Sequence, residues 1–311
     1  MTAMRSLAAI CLLSLSGALA PAQPLRLSGP VAGYYYDEAA RVLRPVLGRA
    51  GAALLGGAAA EELDFASAAP GGAWLYLARR GASVLVLTSP GSEPVEFAGA
   101  LLGGVDRVVW SRDGRWAVLQ SSRAGLIQLV ALGDGGIQPH APLECRLRVL
   151  AVSPDGRSIV AGAPGELVAV SETGAAARLA AFEDPQAAIF SRDGRTLYAA
   201  DRSSGAVEAF RDGSRWLAPA LGAVEPSDLA LSSDDEFLFV LDCAAAALHV
   251  FETRSGSAAG QIALEAPPAG LQMLREDLFL IRGVAETPRL RLLDTSRRAV
   301  FFVAEQRLLE P

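Results

Sequence analysis

The sequence contains no lysine, only two histidines and only three cysteines among its 311 residues, so arginine supplies every positive side chain. Without lysine, a Gly-rich phosphate loop of the Gly-Lys-Ser/Thr type cannot form. No Gly-x-Ser-x-Gly elbow occurs, which removes the usual sequence signal for an α/β-hydrolase nucleophile. His140 and His249 have no second histidine or cysteine at metal-ligand spacing, so we interpret both as structural residues.

The formal net charge of −6 limits the classes of partner that the chain can bind. Nucleic acid requires a basic footprint, and an anionic membrane surface attracts basic segments, so neither suits this chain. Beyond the N-terminus no run of 18 apolar residues occurs, and we therefore predict no membrane span. The expected product is a monomer that binds a protein or a small-molecule ligand.

The N-terminus has the pattern of a secretory signal peptide. Arg5 precedes an apolar stretch over residues 7 to 15, which is too short to cross a bilayer. Small residues then allow cleavage after Ala22. We therefore predict a signal peptide over residues 1–22, a single domain over residues 23–311, and export to the periplasm or the extracellular space.

A degenerate repeat runs through most of the chain. Segments of the form Ser-x-Asp-Gly-Arg, or Ser-x-Asp-Asp-Glu in the last copy, begin at Ser111, Ser153, Ser191 and Ser232, at steps of 42, 38 and 41 residues. Short apolar runs of strand length lie between these and other turn-forming clusters. A period near 40 residues with four such runs per unit is typical of β-propeller blades.

We predict an all-β fold, a seven-bladed β-propeller with four antiparallel strands per blade, with six or eight blades as the alternatives. The predicted blades are residues 24–58, 62–99, 105–140, 146–181, 186–219, 226–265 and 269–305. Residues 299 to 304 form the fourth strand of blade seven, and residues 25 to 27 form the innermost strand of blade one. On this map the ring closes by packing between blades, without exchange of a strand between the termini.

Residues 191 to 201, Ser-Arg-Asp-Gly-Arg-Thr-Leu-Tyr-Ala-Ala-Asp, resemble the bacterial YVTN-type propeller repeat, a relative of the WD40-like units. The resemblance extends over about residues 60 to 285 and is clearest in blades three to six. The chain lacks the Trp-Asp dipeptide of WD repeats, and Asp201 stands where the YVTN pattern has Asn or Thr. The resemblance implies the fold, but it implies little about function, because one propeller architecture carries many activities.

Propeller sites lie at the channel mouth, on the loops that leave the second strand of each blade. Around the predicted ring this position holds Asp37, Arg79, Ser121, Ala163, Asp201, Asp242 and Gly283. The candidates for a site are Asp37, Arg79, Asp201 and Asp242. The last two lie on adjacent blades and could share a cation or a proton, or each could cap its own turn. We assign no catalytic, cofactor-binding or metal-binding residue, and we expect no cofactor.

Two functional hypotheses follow. The first is an exported, non-catalytic binding module, which a rigid propeller with a broad loop-bearing face suits well. The alternative is a propeller hydrolase of the lactonase-like type with its site at the channel mouth; on balance an enzyme is the less favoured hypothesis. Cys145 and Cys243 fall on separate predicted blades, so we expect no disulfide between them.

Overall fold

A computed structural model describes residues 30–88, 93–97, 99–133, 136–217, 225–283 and 290–305. The predicted signal peptide over residues 1–22, the predicted cleavage after Ala22 and the predicted strand at residues 25 to 27 lie outside the described residues. Among the residues that are described, no helix is long and apolar enough to cross a membrane.

Seven four-stranded blades form a ring, as the repeat predicts. Blade one contains β1 (Val31–Asp37), β2 (Val42–Leu47) and β3 (Leu54–Leu55). Blade two contains β4 (Phe65–Ala68), β5 (Trp74–Arg79), β6 (Ala82–Leu87) and β7 (Val95–Phe97), with a short 3₁₀ turn at Pro70–Gly72. Blade three contains β8 (Arg107–Trp110), β9 (Trp116–Ser121), β10 (Leu126–Gly133), β11 (Gly136–Pro139) and a short additional strand, β12 (Leu143–Glu144).

The remaining blades are regular. Blade four contains β13 (Arg148–Val152), β14 (Ser158–Ala163), β15 (Glu166–Ser171) and β16 (Ala176–Ala180). Blade five contains β17 (Pro185–Phe190), β18 (Thr196–Asp201), β19 (Ala206–Arg211) and β20 (Ser214–Leu217). Blade six contains β21 (Pro226–Leu231), β22 (Phe237–Asp242), β23 (Ala247–Glu252) and β24 (Ala258–Ala263). Blade seven contains β25 (Pro268–Arg275), β26 (Leu278–Gly283), β27 (Arg291–Asp294) and β28 (Ala299–Phe302), and β29 (Ala304–Glu305) follows it.

The repeated Ser-x-Asp-Gly segment is the turn between the first and second strands. In blade four the Ser153 hydroxyl donates to Asp155 Oδ1 at 2.6 Å, and Asp155 Oδ1 also accepts from the backbone N–H of Arg157 at 3.1 Å. Gly156 follows with φ of 72°. Blades three, five and six repeat the hydroxyl-to-carboxylate bond at 2.5–2.6 Å. Hydrogen bonds from Ser191 and the Arg195 N–H lower the pKa of Asp193 in the same turn.

Apolar side chains on alternate residues fill the two interfaces of each blade, because successive residues of a strand point to opposite faces of the sheet. In β18, Tyr198 and Ala200 pack toward blade six against Leu229. Leu197 and Ala199 pack in the cluster that joins blade five to blade four. All six residues of β18 are buried. Each blade therefore shares its core with both neighbours.

Blade one differs from the other blades in the direction of its innermost described strand. Tyr36, near the end of β1, packs against Phe65 at the start of β4, with ring centroids 6.2 Å apart. At the other end of β1, the Val31 carbonyl accepts from Arg275 at the end of β25. Thus β1 runs antiparallel to the innermost strands of both neighbours, as second strands do. It corresponds to the second strand of the prediction, and it is the innermost described strand of blade one.

The expected closure without strand exchange is wrong. After β28 the chain continues into β29, which pairs in parallel with β3 at the outer edge of blade one. The Ala304 N–H donates to the Ala53 carbonyl at 3.0 Å. Val303 is buried in the cluster between blades seven and one and holds the segment there. Blade seven has its own fourth strand, β28. The added strand β29 is therefore a further connection across the seam, which is the contact between blades seven and one.

The turn glycines should contribute more to stability than the turn acids. A Cβ on Gly156 would lie 2.4 Å from Trp116 Cδ2 of the neighbouring blade, and its positive φ is unfavourable for a β-branched residue. We expect Gly156→Val to lower the free energy of unfolding by roughly 3 kcal/mol or more. Asp155→Asn, in the same turn, should cost under about 1 kcal/mol. Chemical denaturation of both variants measures this, and equal losses would contradict the turn geometry.

The seam should depend on Val303 far more than on its neighbour Phe302. Val303 is 6% exposed and Phe302 is 47% exposed. Val303→Asp places a charge among apolar side chains and should cost roughly 3 kcal/mol or more. Phe302→Asp is the matched control and should cost less than about 1 kcal/mol. Thermal and urea unfolding of the two variants decide the question; similar midpoints would mean that the C-terminal segment does not close the ring.

Candidate functional site

The four predicted site residues lie at the ends of second strands, on one face of the ring, but each makes contacts within its loops. Asp201 is buried and accepts from the backbone N–H groups of Glu183 at 2.9 Å and Asp184 at 2.8 Å, and from the Ser204 hydroxyl at 2.9 Å. Its carboxylate therefore fixes its own turn and the loop that enters blade five.

The other three predicted residues behave similarly. Asp242 accepts from the Ala245 N–H at 2.9 Å, and its Oδ2 lies 3.4 Å from His249 Nε2 without hydrogen-bond geometry. Asp37 accepts from the Ala40 N–H at 3.0 Å. Arg79 is exposed and donates to the Glu61 carbonyl. None of the four predicted residues lines the central cavity, so the structure does not bring them together around one ligand.

A cavity of about 700 Å³ occupies the ring axis, a volume typical of small-molecule sites. Its wide end, here called the mouth, lies where the innermost strands begin and the second strands end. Polar side chains around the mouth come from all blades except blade two: Glu38, Asp106, Arg107, Arg148, Gln186, Arg202, Ser227, Asp228, Cys243 and Arg282. Among the described residues, no group of three His, Cys, Asp or Glu side chains is arranged to hold a metal ion.

Local backbone irregularities aim several of these side chains inward. The pairing of the first two strands shifts register at the start of blades five, six and seven, which leaves Gln186, Ser227 and Ala269 as bulged residues. Bulges re-aim side chains and occur often beside functional sites. Glu38, Arg202 and Cys243 reach the mouth because each directly follows the last residue of a second strand.

Arginines outnumber carboxylates at the mouth although the whole chain is acidic. Four arginines and three carboxylates line the mouth, whereas the formal charge of the chain is −6. Arg107 donates from Nε to the Val149 carbonyl at 2.7 Å. Burial, together with the nearby positive charge of Arg148, lowers the pKa of Arg107 to about 10. The guanidinium groups repel one another there, so a bound anion would relieve an unfavourable field.

Asp228 is the innermost carboxylate of the mouth. It accepts from the backbone N–H groups of Leu271 at 2.7 Å and Leu229 at 2.9 Å. Protein surrounds the carboxylate, although part of its surface faces the cavity, and this burial raises the pKa of Asp228 against the opposing effects of those two hydrogen bonds and of Arg282 and Arg107. A carboxyl group whose pKa is raised by burial beside a cavity is a common feature of functional sites.

Arg112 closes the opposite end of the cavity. Its side chain is 6% exposed and crosses from the first turn of blade three to that of blade six, where it bonds to Asp235 and to the Ser232 carbonyl. Asp235 takes the place of the turn glycine there, at φ of 58°, and its other oxygen accepts from the Arg192 N–H at 2.7 Å. Arg112 therefore spans the ring at the end of the cavity opposite the mouth.

The two cysteines of the described residues lie in different environments, and both are free thiols. Cys145 is buried in the cluster between blades three and four. Cys243 lines the cavity, where its Sγ lies 3.0 Å from Ser227 Oγ and 2.7 Å from the Pro268 carbonyl oxygen. Because Cys243 faces the cavity, its reaction with a thiol reagent can report on whether the mouth is occupied.

Comparisons with known proteins show the fold and nothing finer. Neither a protein-family model nor any curated protein matches the sequence. Among solved structures, the chain is similar to a Bacteroides fragilis protein assigned as a 6-phosphogluconolactonase, with 15% identity, a TM-score of 0.60, and coverage of 88% of this chain and 92% of that one.

Two further solved structures are similar at about the same level. Virginiamycin B lyase from Staphylococcus aureus is 12% identical, with a TM-score of 0.53 over 78% of this chain and 83% of that one. Hydrazine synthase from Kuenenia stuttgartiensis is 16% identical, with a TM-score of 0.53 over 76% and 77%. Structural similarity at these sequence identities shows the β-propeller fold and does not show an activity.

Proposed function

We propose that this chain is an exported β-propeller binding protein that takes a small anionic ligand at the mouth of its central cavity. The observation that carries the proposal is the convergence of Arg107, Arg148, Arg202 and Arg282 around one opening in an acidic protein. Export rests on the pattern of residues 1–22. The YVTN-type resemblance supports the same class of exported repeat protein, and the expected form is a monomer.

Arginine is suited to this role because its planar guanidinium group binds carboxylates and phosphates with two parallel hydrogen bonds. Arg148 and Arg282 are exposed at the mouth, so their donors can turn toward a ligand. Gln186 and Ser227 add neutral hydrogen-bonding groups beside them. The cavity volume favours a small molecule over a protein segment.

Loss of a mouth arginine should weaken anion binding. We expect Arg148→Gln and Arg282→Gln each to lower the affinity for phosphate about tenfold, which corresponds to about 1.4 kcal/mol. Arg157→Gln, in an exposed turn on the opposite face, is the matched control and should leave the affinity unchanged. Titration calorimetry measures the affinity of each variant for phosphate.

Phosphate should also slow alkylation of Cys243, mapped by mass spectrometry, with buried Cys145 as the reference. If phosphate neither binds in the calorimeter nor protects Cys243, the proposal is contradicted.

Anion binding should strengthen as the pH falls through the raised pKa of Asp228. Above that pKa the carboxylate is negative and repels the ligand, and protonation removes the repulsion. Sulfate is the probe because its own charge stays constant over this range. Asp228→Asn should bind sulfate more tightly than the wild type above the pKa of Asp228 and show a flatter pH profile, while Glu38 and Asp106 remain in both proteins. A wild-type profile identical to that of the variant would exclude Asp228 from the site.

The second candidate is a lactonase-like hydrolase with its site at the same mouth. Asp228 favours it, because a carboxyl group with a raised pKa is suited to act as a general acid or base. The structural likeness to the protein assigned as a 6-phosphogluconolactonase adds an analogy of fold. Incubation with simple γ- and δ-lactones separates the two candidates: the binding protein leaves them intact, whereas hydrolysis that Asp228→Asn abolishes would establish the enzyme.

A further inference from the structure

A negative and a positive side chain of the mouth meet over Gly270. This glycine lies in β25, directly across from Arg282 in β26. A Cβ on Gly270 would lie 2.6 Å from Arg282 Nη2 and 3.2 Å from Asp228 Oδ2. Both charged groups therefore face the place that a side chain at position 270 would occupy. Because the residue is glycine, that place stays open toward the cavity.

Asp228 and Arg282 approach each other over Gly270 without forming an ion pair. In the part of the chain that the structure describes, no arginine forms a salt bridge with Asp228. The groups are still close enough to interact: burial raises the pKa of Asp228, and the positive charges of Arg282 and Arg107 oppose that rise. A small polar group can therefore enter between the guanidinium group and the carboxylate.

Asp228 is a fixed hydrogen-bond acceptor in this space. The N–H of Leu229 donates to Oδ1 and the N–H of Leu271 donates to Oδ2. An ionised carboxylate has about four lone-pair positions and no proton to donate, so Asp228 keeps the capacity to accept from a ligand. The other two carboxylates of the mouth, Glu38 and Asp106, are exposed, and water weakens their electrostatic interactions.

A fixed acceptor beside arginine donors distinguishes one kind of anion from another. Sulfate has only acceptor oxygens, so a sulfate ion beside Arg282 leaves the carboxylate of Asp228 facing a second negative charge. Hydrogen phosphate has the same shape, and its O–H group can donate to Asp228 while its other oxygens accept from the arginines. A site built to bond a hydroxyl group rejects a ligand that lacks one more strongly than a site that only fits its size.

We propose that the mouth selects an anion that carries its own O–H donor, as hydrogen phosphate and hydroxycarboxylates do, and that Asp228 is the specificity-determining residue. The acidic oxygens of the ligand bind to Arg148 and Arg282, and its O–H group donates to Asp228 in the space over Gly270. The position of the anion rests on the proposed function. The selection for a donor is a further property, which the arrangement over Gly270 supports.

Calorimetric titration with two matched pairs of anions tests the selection. The buffer is mildly alkaline and above the pKa of Asp228, so that phosphate keeps one proton and the carboxylate is ionised. The first pair is hydrogen phosphate and sulfate, and the second is glycolate and acetate, which differ by one hydroxyl group. In at least one pair the anion with the O–H group should bind about tenfold more tightly. The pair that shows the preference tells whether the O–H group belongs to the acidic group or to the neighbouring carbon.

Substitutions at and around the space over Gly270 should change this preference selectively. Asp228→Asn removes the negative charge, and Gly270→Ala fills the space; each should reduce the preference about tenfold. Gly270→Ala should keep a melting temperature close to that of the wild type, because the nearest atom is the flexible tip of Arg282. Gly57→Ala is the matched control, since a Cβ there meets no atom within 4 Å. Glu38→Gln removes an exposed charge and should tighten both members of a pair alike.

The inference and the proposed function fail in different ways. Equal affinity within both pairs would overturn the inference and leave the anion site standing. A preference that survives Asp228→Asn, or that Glu38→Gln removes to the same extent, would also overturn it. If none of the four anions binds, the proposed function itself fails, and the inference with it.

Discussion

Ring closure is the constraint on which the rest of this structure depends. Each blade carries apolar side chains on both faces, so no blade can bury its core alone, and the stability of the whole ring requires that the last blade meet the first. Here the seam is secured at the outer edge by β29 on β3 and beneath it by Val303. The unusual position of β1, which contacts both β4 and β25, reflects the same requirement.

Closure has a second consequence at the ring axis. The innermost strands pair on one side only, so their inner edges present backbone groups that need partners. Charged side chains meet part of that need: Arg107 bonds to the Val149 carbonyl, and Asp228 accepts from the Leu271 N–H. These charged side chains therefore stabilise the innermost strands. The positive electrostatic field of the arginines is a second property of the mouth, and it supports the proposal of an anion site there.

The fold could be predicted from the sequence because its turn residues repeat at a regular spacing. Ser, Asp and Gly at fixed spacing form a self-contained hydrogen-bonded turn, so four copies predict the length of the repeat, and seven such repeats, with six or eight as the alternatives, fit the chain. The C-terminal β29 escaped prediction because two residues carry no periodic pattern, and its pairing depends on Val303 meeting blade one. The site was only partly predictable: the second-strand ends do lie on one face of the ring, but the side chains in the cavity belong to the next residue, as at Glu38 and Arg202. The bulges that aim Gln186 and Ser227 inward are properties of the assembled ring.

The central claim is that the arginine-lined mouth is where this protein holds an anion. The most direct measurement is a crystal structure of the protein grown with selenate, located by the anomalous scattering of selenium. The account predicts one well-ordered selenate within hydrogen-bond distance of Arg148 and Arg282. Selenate found only on the outer strands or at the exposed turns of the opposite face, with the mouth holding none, would contradict it.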